Sequence, residues 1–425
     1  MNTAKVHSCA TLSPAGLPEQ GARLTWETES TRYYENKRYR ELEAKTTCPF
    51  TEIEEIMKQN HGIRTLSDPV YRRELYLRAS EVFAKREADE RQRIERFGEI
   101  RPIMTAEAFG NRIVSVQGRI YSSDWKSFPQ FLNDFLVSRF GSEWTEEQDR
   151  LDPSKWHPIT SWRVRGLSHH LKTLEGKPAG HRVEPSGFLA AYLGFAYDLY
   201  VVDDNNDLDE RLLKRLRNRE QFQGARHELF AEATCLRAGF TIVHEDDTAP
   251  GRHVEFTATH KKSGLRLAVE AKSRQRPGVI AHPGVPAPAE RPDYGFSRLL
   301  KDAVTKQSSL PLVVFMDTNL DPSGAESFFG LPAPVPEPTL EVISMIDTAR
   351  KQNGGRDPYN LLVFTNIPHH YGGDDDGIDD LPRNWIAYIA ETPNIAFGDP
   401  ALLRELAIAS ELYGKIPNEF PEPLS

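Results

Sequence analysis

The sequence predicts an α/β protein, a mixed central sheet flanked by helices, with a mainly helical region ahead of it. Three observations carry this. Residues 224–240 space Ala225, Leu229, Ala233, Leu236 and Phe240 as one apolar helical stripe. Residues 252–272 hold two alternating runs joined by Lys262-Ser263-Gly264, a hairpin signal. After them come a helical segment from Phe296 to Gln307, an apolar strand from Leu312 to Met316, a second helix from Leu340 to Lys351 and a strand from Leu361 to Thr365. At ~150 residues per domain, the 425 residues suggest two or three domains. The 28 Gly and 30 Pro fall well short of the ~25–30% that marks low complexity. The chain is long enough to bury a core.

The net charge of -9 excludes a chain that coats nucleic acid by bulk charge, although a local basic surface can still do so. Cys9, Cys48 and Cys235 are too scattered for a disulfide framework or a Cys-x-x-Cys metal site, which makes a reducing, cytoplasmic setting the expectation. The N-terminus builds no apolar core of a secretory signal. The most apolar stretch, Gly187 to Val202, carries Asp198 and is shorter than the ~20 residues that span a bilayer. It reads as a buried helix, and no membrane partner is expected.

Along the chain, residues 1–50 read as a polar N-terminal arm, 51–205 as a mainly helical region that recognises substrate or a partner, and 206–425 as the α/β domain. Asp68 to Phe97 is one long charged helix with Leu75, Ala79, Val82 and Phe83 as its apolar stripe. Arg112 to Val116 and Arg119 to Tyr121 are strands around a Gln117-Gly118 turn, and an amphipathic segment with Phe131, Phe135 and Phe140 follows. Trp125, Trp144, Trp156 and Trp162 read as a satellite core rather than a base-stacking platform. His169 and His170, adjacent on a helix, point apart and make no metal site. Arg211, Lys214, Arg215, Arg217, Arg219 and Arg226 form a basic stripe, either a solvated face or a phosphate-facing one.

The chemistry concentrates at residues 228–272. The hairpin pairs His260 with Leu265, Ala258 with Leu267 and Phe256 with Val269, so Glu255 falls opposite Glu270. With period-two alternation, Val254, Phe256 and Ala258 share a core face with Leu267, Val269 and Ala271, while Glu255, Thr257, Glu270 and Lys272 share the other. Opposed carboxylates repel at ~4.5–5.5 Å, and a divalent cation resolves that repulsion. Mg²⁺ takes hard oxygen ligands, one or two carboxylates with water and substrate phosphate completing the shell. Lys272, two residues beyond Glu270, would stabilise phosphate charge and orient the attacking water. Glu228 and Glu232, four residues apart, edge the apolar stripe of the preceding helix, each either a snorkelling surface charge or a functional group facing a cleft.

Glu255, then Glu270-Ala271-Lys272 at the end of the next strand, with Glu228 on a helix eleven residues before Gly239, resembles the PD-(D/E)XK nuclease superfamily. The resemblance covers roughly residues 220–390. Val254 stands at the family's Pro, Glu255 at its Asp, and the later helix has no clear Gln-x-x-x-Tyr motif. The resemblance implies a restriction-endonuclease-like core over 206–425 and a nuclease that hydrolyses phosphodiester bonds. Glu255, Glu270 and the helix acid Glu228, with Glu232 its nearby competitor, would hold Mg²⁺, with Mn²⁺ as the alternative ion, and Lys272 would complete the catalytic set. It further implies a nucleic-acid substrate, DNA favoured over RNA, and a role such as restriction or anti-phage defence. A homodimer and a partner protein both stay open. The alternative is a non-catalytic module of the same fold that binds nucleic acid or a partner protein.

Lys261, Lys262, Arg266, Arg274 and Arg276 add positive charge in the sequence around this set, as phosphate binding requires. His253 and His260 read as structural. Asp374, Asp375, Asp376, Asp379 and Asp380 beside His369-His370 read as a solvated loop, and Asp317 lies outside the expected site.

Overall fold

The computed structural model describes residues 69–178, 185–245, 253–277, 280, 295–306, 308–320, 337–367, 370 and 384–421. The expected arm at 1–50 and the Asp374–Asp380 run with His369 lie outside these residues. The chain divides into two compact units, Met1–Arg93 and Ile94–Ser425. Of the first, the described part is most of helix α1 (Pro69–Phe97), which runs on into the second. Ala79 is buried as the stripe predicts, but Val82 is 48% exposed, so the apolar face is narrower than expected.

The second unit begins with a three-stranded antiparallel meander, β1 (Met104–Ala108), β2 (Asn111–Val116) and β3 (Arg119–Ser123). Helices α2 (Phe128–Phe140), α3 (Ser142–Arg150), α4 (Pro158–Leu174), α5 (Gly187–Asn206), α6 (Glu210–Arg217) and α7 (Phe222–Arg237) follow. Pro sits in the first turn of α2 and α4, where its missing N–H costs nothing, and Ser186 and Asp209 cap α5 and α6 through their side chains. Next come β4 (Phe240–His244), β5 (Phe256–His260), β6 (Arg266–Ser273), α8 (Phe296–Val304), β7 (Leu312–Asp317), α9 (Glu337–Gln352), β8 (Leu361–Asn366), β9 (Asn384–Ile389) and α10 (Pro400–Ser410).

Strands β4 to β9 form one mixed sheet in sequence order. The pairs β4–β5, β5–β6 and β8–β9 are antiparallel, and β6–β7 and β7–β8 are parallel. Helices cover both faces, as a sheet with parallel central strands requires. On one side Leu267, Val269, Val313, Phe315, Leu361 and Val363 pack with Leu229, Phe230 and Ala233 of α7. On the other Ala268, Val314, Met316, Leu362 and Phe364 pack with Phe296 and Leu300 of α8 and Val342 and Met345 of α9.

The first of these clusters also takes in Phe128, Phe131 and Phe135 of α2 and Tyr192, Phe195 and Tyr200 of α5. The boundary expected at 205/206 therefore falls inside one core at the end of α5. The reason is that α5 is buried nearly all round, with sixteen of its residues shielded, and so serves both halves. The tryptophan-rich stretch belongs to this same core: Trp125 and Trp162 are buried in it. His370 stacks on Trp162 with ring centroids 5.2 Å apart and bonds Tyr413 Oη at 2.9 Å, a structural role.

Helices α4 and α5 touch at Gly166, where an added Cβ would meet the backbone nitrogen of Leu189 at 2.6 Å. Backbone cannot yield as a flexible side chain can. Gly166→Ala is expected to destabilise the protein by about 1–3 kcal/mol through overpacking, measured by urea unfolding against wild type.

Asp204, near the end of α5, accepts the Gln117 N–H at 3.3 Å, and burial pushes its carboxyl up to about 6. A folded pKa above the unfolded value of ~3.9 gives stability that is complete below about pH 4 and lost as pH rises through about 6. Asp204→Asn keeps the acceptor without the charge. It is expected to match wild type near about pH 4 and to exceed it by about 2–3 kcal/mol near about pH 8, in unfolding titrations across that range.

Candidate active site

The hairpin forms in the predicted register: Phe256 pairs with Val269 and Ala258 with Leu267. The ladder ends there. Glu255 N–H donates to the Val269 carbonyl at 3.2 Å, although Val269 already pairs with Phe256. Two residues thus oppose one, which is a β-bulge at the entrance of β5. The extra residue shifts the phase: Val254 packs in the cluster under α8 with Ala268, whereas Phe256 packs in the cluster under α7. This corrects two expectations, that Val254 shares a face with Phe256 and that Glu255 stands directly across the ladder from Glu270.

The bulge nevertheless leaves Glu255 beside the expected partners. Lys272 Nζ is 3.9 Å from Glu255 Oε1 and in ion-pair contact with Glu270 Oε1. Glu270 is fully buried, and burial drives its carboxyl well above the ordinary range, with the Glu255 charge adding and Lys272 and Lys306 opposing. Its Oε2 has no hydrogen-bond partner. Lys306, just past α8, was not anticipated: its Nζ lies 3.4 Å from Glu270 Oε1 and donates to the His253 carbonyl at 2.7 Å. No spacing rule reaches from a residue after a helix to a carboxylate in the preceding strand.

Helix α7, on the other face of the sheet, carries Glu228 within reach of the charge of Glu255. Burial first, and then the charge of Glu255, raise its carboxyl well above the usual range, while Arg215 Nη1, 2.5 Å from Oε2, opposes this. Glu232, one turn on, is fully buried and bonds His244 Nε2 at 2.9 Å. Both helix acids feel the charge of Glu255, Glu228 the more strongly, and Glu232 is bonded to His244 of β4.

Part of the expected basic surroundings lies away from the site. Lys261, Lys262 and Arg266 flank the hairpin turn, six residues and about 20 Å along β6 from Lys272, and Lys262 pairs with Glu99. The stripe on α6 and the start of α7 is largely occupied: Arg215 by Glu228, Arg217 by the Arg139 carbonyl at 2.8 Å, Arg219 by the Ser154 carbonyl at 3.2 Å, and Arg226 by Asp317. His260 bonds Ser263 Oγ at 2.8 Å across the turn, as a structural histidine would.

Behind the site lies a buried polar knot. Arg226 on α7 pairs with Asp317 at the end of β7, and both side chains are almost fully enclosed. Asp317 also accepts from Ser273 Oγ at 3.2 Å and Thr365 Oγ1 at 3.4 Å, tying the ends of β6, β7 and β8 together. His227, stacked on Phe230, is pushed down to about 4 by burial and stays neutral. Asp317 is thus a supporting residue two positions from Phe315, outside contact with Glu255 or Glu270.

Among the described residues, no three His, Cys, Asp or Glu side chains are grouped as a metal cage, and lysine or arginine contacts the carboxylates of Glu255, Glu270 and Glu228. The donor set itself suits a hard divalent cation: carboxylate oxygens only, one of them the unpartnered, buried Glu270 Oε2. Glu255 and Glu270 are the residues that would hold it, with Glu228 the further acid whose charge couples to Glu255. Comparison of the chain with protein-family models, with curated proteins and with solved structures finds no match. Among the described residues, no helix is long and apolar enough to cross a membrane.

Proposed function

We propose that this chain is a Mg²⁺-dependent nuclease with a restriction-endonuclease-like core, hydrolysing phosphodiester bonds and most readily those of DNA, in a role such as restriction or anti-phage defence. The observation that supports this most is the meeting of Glu255, Glu270 and Lys272 where β5 and β6 part, with Glu228 approaching from α7. A protein that needed only a soluble sheet gains nothing from acids gathered there. Desolvation plus like charge at one spot is the pattern of a functional site.

A bound Mg²⁺ would supply charge stabilisation on the phosphate and a water of lowered pKa. The chain supplies the rest. Lys272 presents an ammonium to the negative charge that grows on the phosphate oxygens, and its contact with Glu270 keeps it aimed. Lys306 offsets the charge of Glu270 and so lets a carboxylate persist in a buried position. Arg215 pairs with Glu228 and opposes the burial that raises its carboxyl, so that the helix acid keeps part of its charge beside Glu255.

Purified protein with supercoiled plasmid, or with RNA, in Mg²⁺ and in chelator, tests the reading. Metal-dependent nicking of plasmid is the expected result. Binding without cleavage across both substrates and both Mg²⁺ and Mn²⁺ would instead make the chain a non-catalytic nucleic-acid module.

A further inference from the structure

We propose that the cleft between α8 and α9 binds one nucleotide unit of the substrate strand, with its phosphate on Arg298 and Lys301. The proposal rests on the nuclease reading for the nature of that strand. The cleft holds about 630 Å³, within the ~300–1,000 Å³ of ligand pockets. Arg298, Lys301 and Lys306 line it, and no Asp or Glu does. Arg298 and Lys301 are exposed and form no ion pair among the described residues. A concave surface with unopposed cations concentrates anions, and phosphate is the anion a nucleic-acid strand offers.

Size and wall chemistry narrow the ligand. Inorganic phosphate would leave most of the volume empty, whereas Leu310, Met345 and Ile395 give an apolar wall on which a base can lie. Location supplies the link to cutting. Lys306 belongs to both places, lining the cleft while its Nζ sits 3.4 Å from Glu270 Oε1. A strand whose scissile phosphate lies at Glu270 has a neighbouring nucleotide to accommodate, and this cleft is next to it.

The test uses the full chain without added metal, titrated calorimetrically with thymidine 5′-phosphate, thymidine and inorganic phosphate, in wild type and in the Arg298→Gln/Lys301→Gln variant. Both positions are exposed on a helix, and circular dichroism confirms that the variant folds. The nucleotide is expected to bind at least roughly tenfold more tightly than thymidine or phosphate, and to lose at least roughly tenfold in the variant. For a single-stranded oligonucleotide, the variant is expected to flatten the slope of log K against log salt by about 1.4, two contacts at ~0.7 each. Under Mg²⁺, KM for cleavage rises while kcat holds. Equal binding of phosphate and nucleotide, or unchanged nucleotide binding in the variant, overturns the proposal. Wild-type cleavage with variant kinetics unchanged removes the cleft and leaves the nuclease reading standing. Nucleotide binding lost in the variant without any wild-type cleavage does the reverse.

Discussion

Replacing Lys272 with glutamine is expected to lower Mg²⁺-dependent plasmid cleavage by at least roughly 10²–10³-fold, the size seen when one preorganised electrostatic contact to a transition state is removed. The loss should fall on kcat, because a charge that develops during reaction is met only then. Lys272 touches two acids at once, Glu255 at 3.9 Å and Glu270 in closer contact. Removing it frees both carboxylates for a cation, so Mg²⁺ affinity should hold or improve while turnover collapses. Glu270→Gln should fail differently, losing cleavage together with metal dependence. Lys306 still faces Glu270 and the Lys272 side chain is partly solvated, so the glutamine variant should keep its fold. Cleavage in Lys272→Gln within about threefold of wild type would remove the lysine from the chemistry.

Asp317→Ala should cost about 3–5 kcal/mol of stability, because it leaves the buried guanidinium of Arg226 without its counter-charge. The loss has a structural consequence beyond its size. Arg226 precedes Glu228 by two residues on α7, and Asp317 ends the strand that pairs with β6, so this ion pair links the helix acid to the Glu270 strand. Replacing both partners with apolar residues, Arg226→Met with Asp317→Leu, removes the unpaired charge and should recover much of the stability. Urea unfolding of the two variants measures both effects. A cost below about 1 kcal/mol for Asp317→Ala would show that the pair is dispensable.

The sequence carried the local part of this arrangement well. The Lys262-Ser263-Gly264 turn set a register that places Phe256 on Val269, since alternation and turn length are both short-range. The order of helix and strand from Phe296 to Asn366 was equally legible from periodicity. What escaped was long-range or broke a period. The bulge at Glu255 interrupts alternation, and no residue type there announces it. Lys306 and the Arg226–Asp317 pair meet their partners only after β6 and β7 align in parallel. The basic stripe was visible, but its neutralisation by Glu228, Asp317 and two backbone carbonyls was not. A helical N-terminal region set apart from the α/β part was expected because α5 reads as a buried helix without saying which side it serves. It serves both.

Direct binding of Mn²⁺ to the full chain, counted by electron paramagnetic resonance in wild type and in Glu255→Gln/Glu270→Gln, bears most directly on the account. Wild type should take up ions at this site with affinity that the folded double variant lacks. Equal uptake by both proteins would place any cation elsewhere and leave the two glutamates as partners of lysine alone.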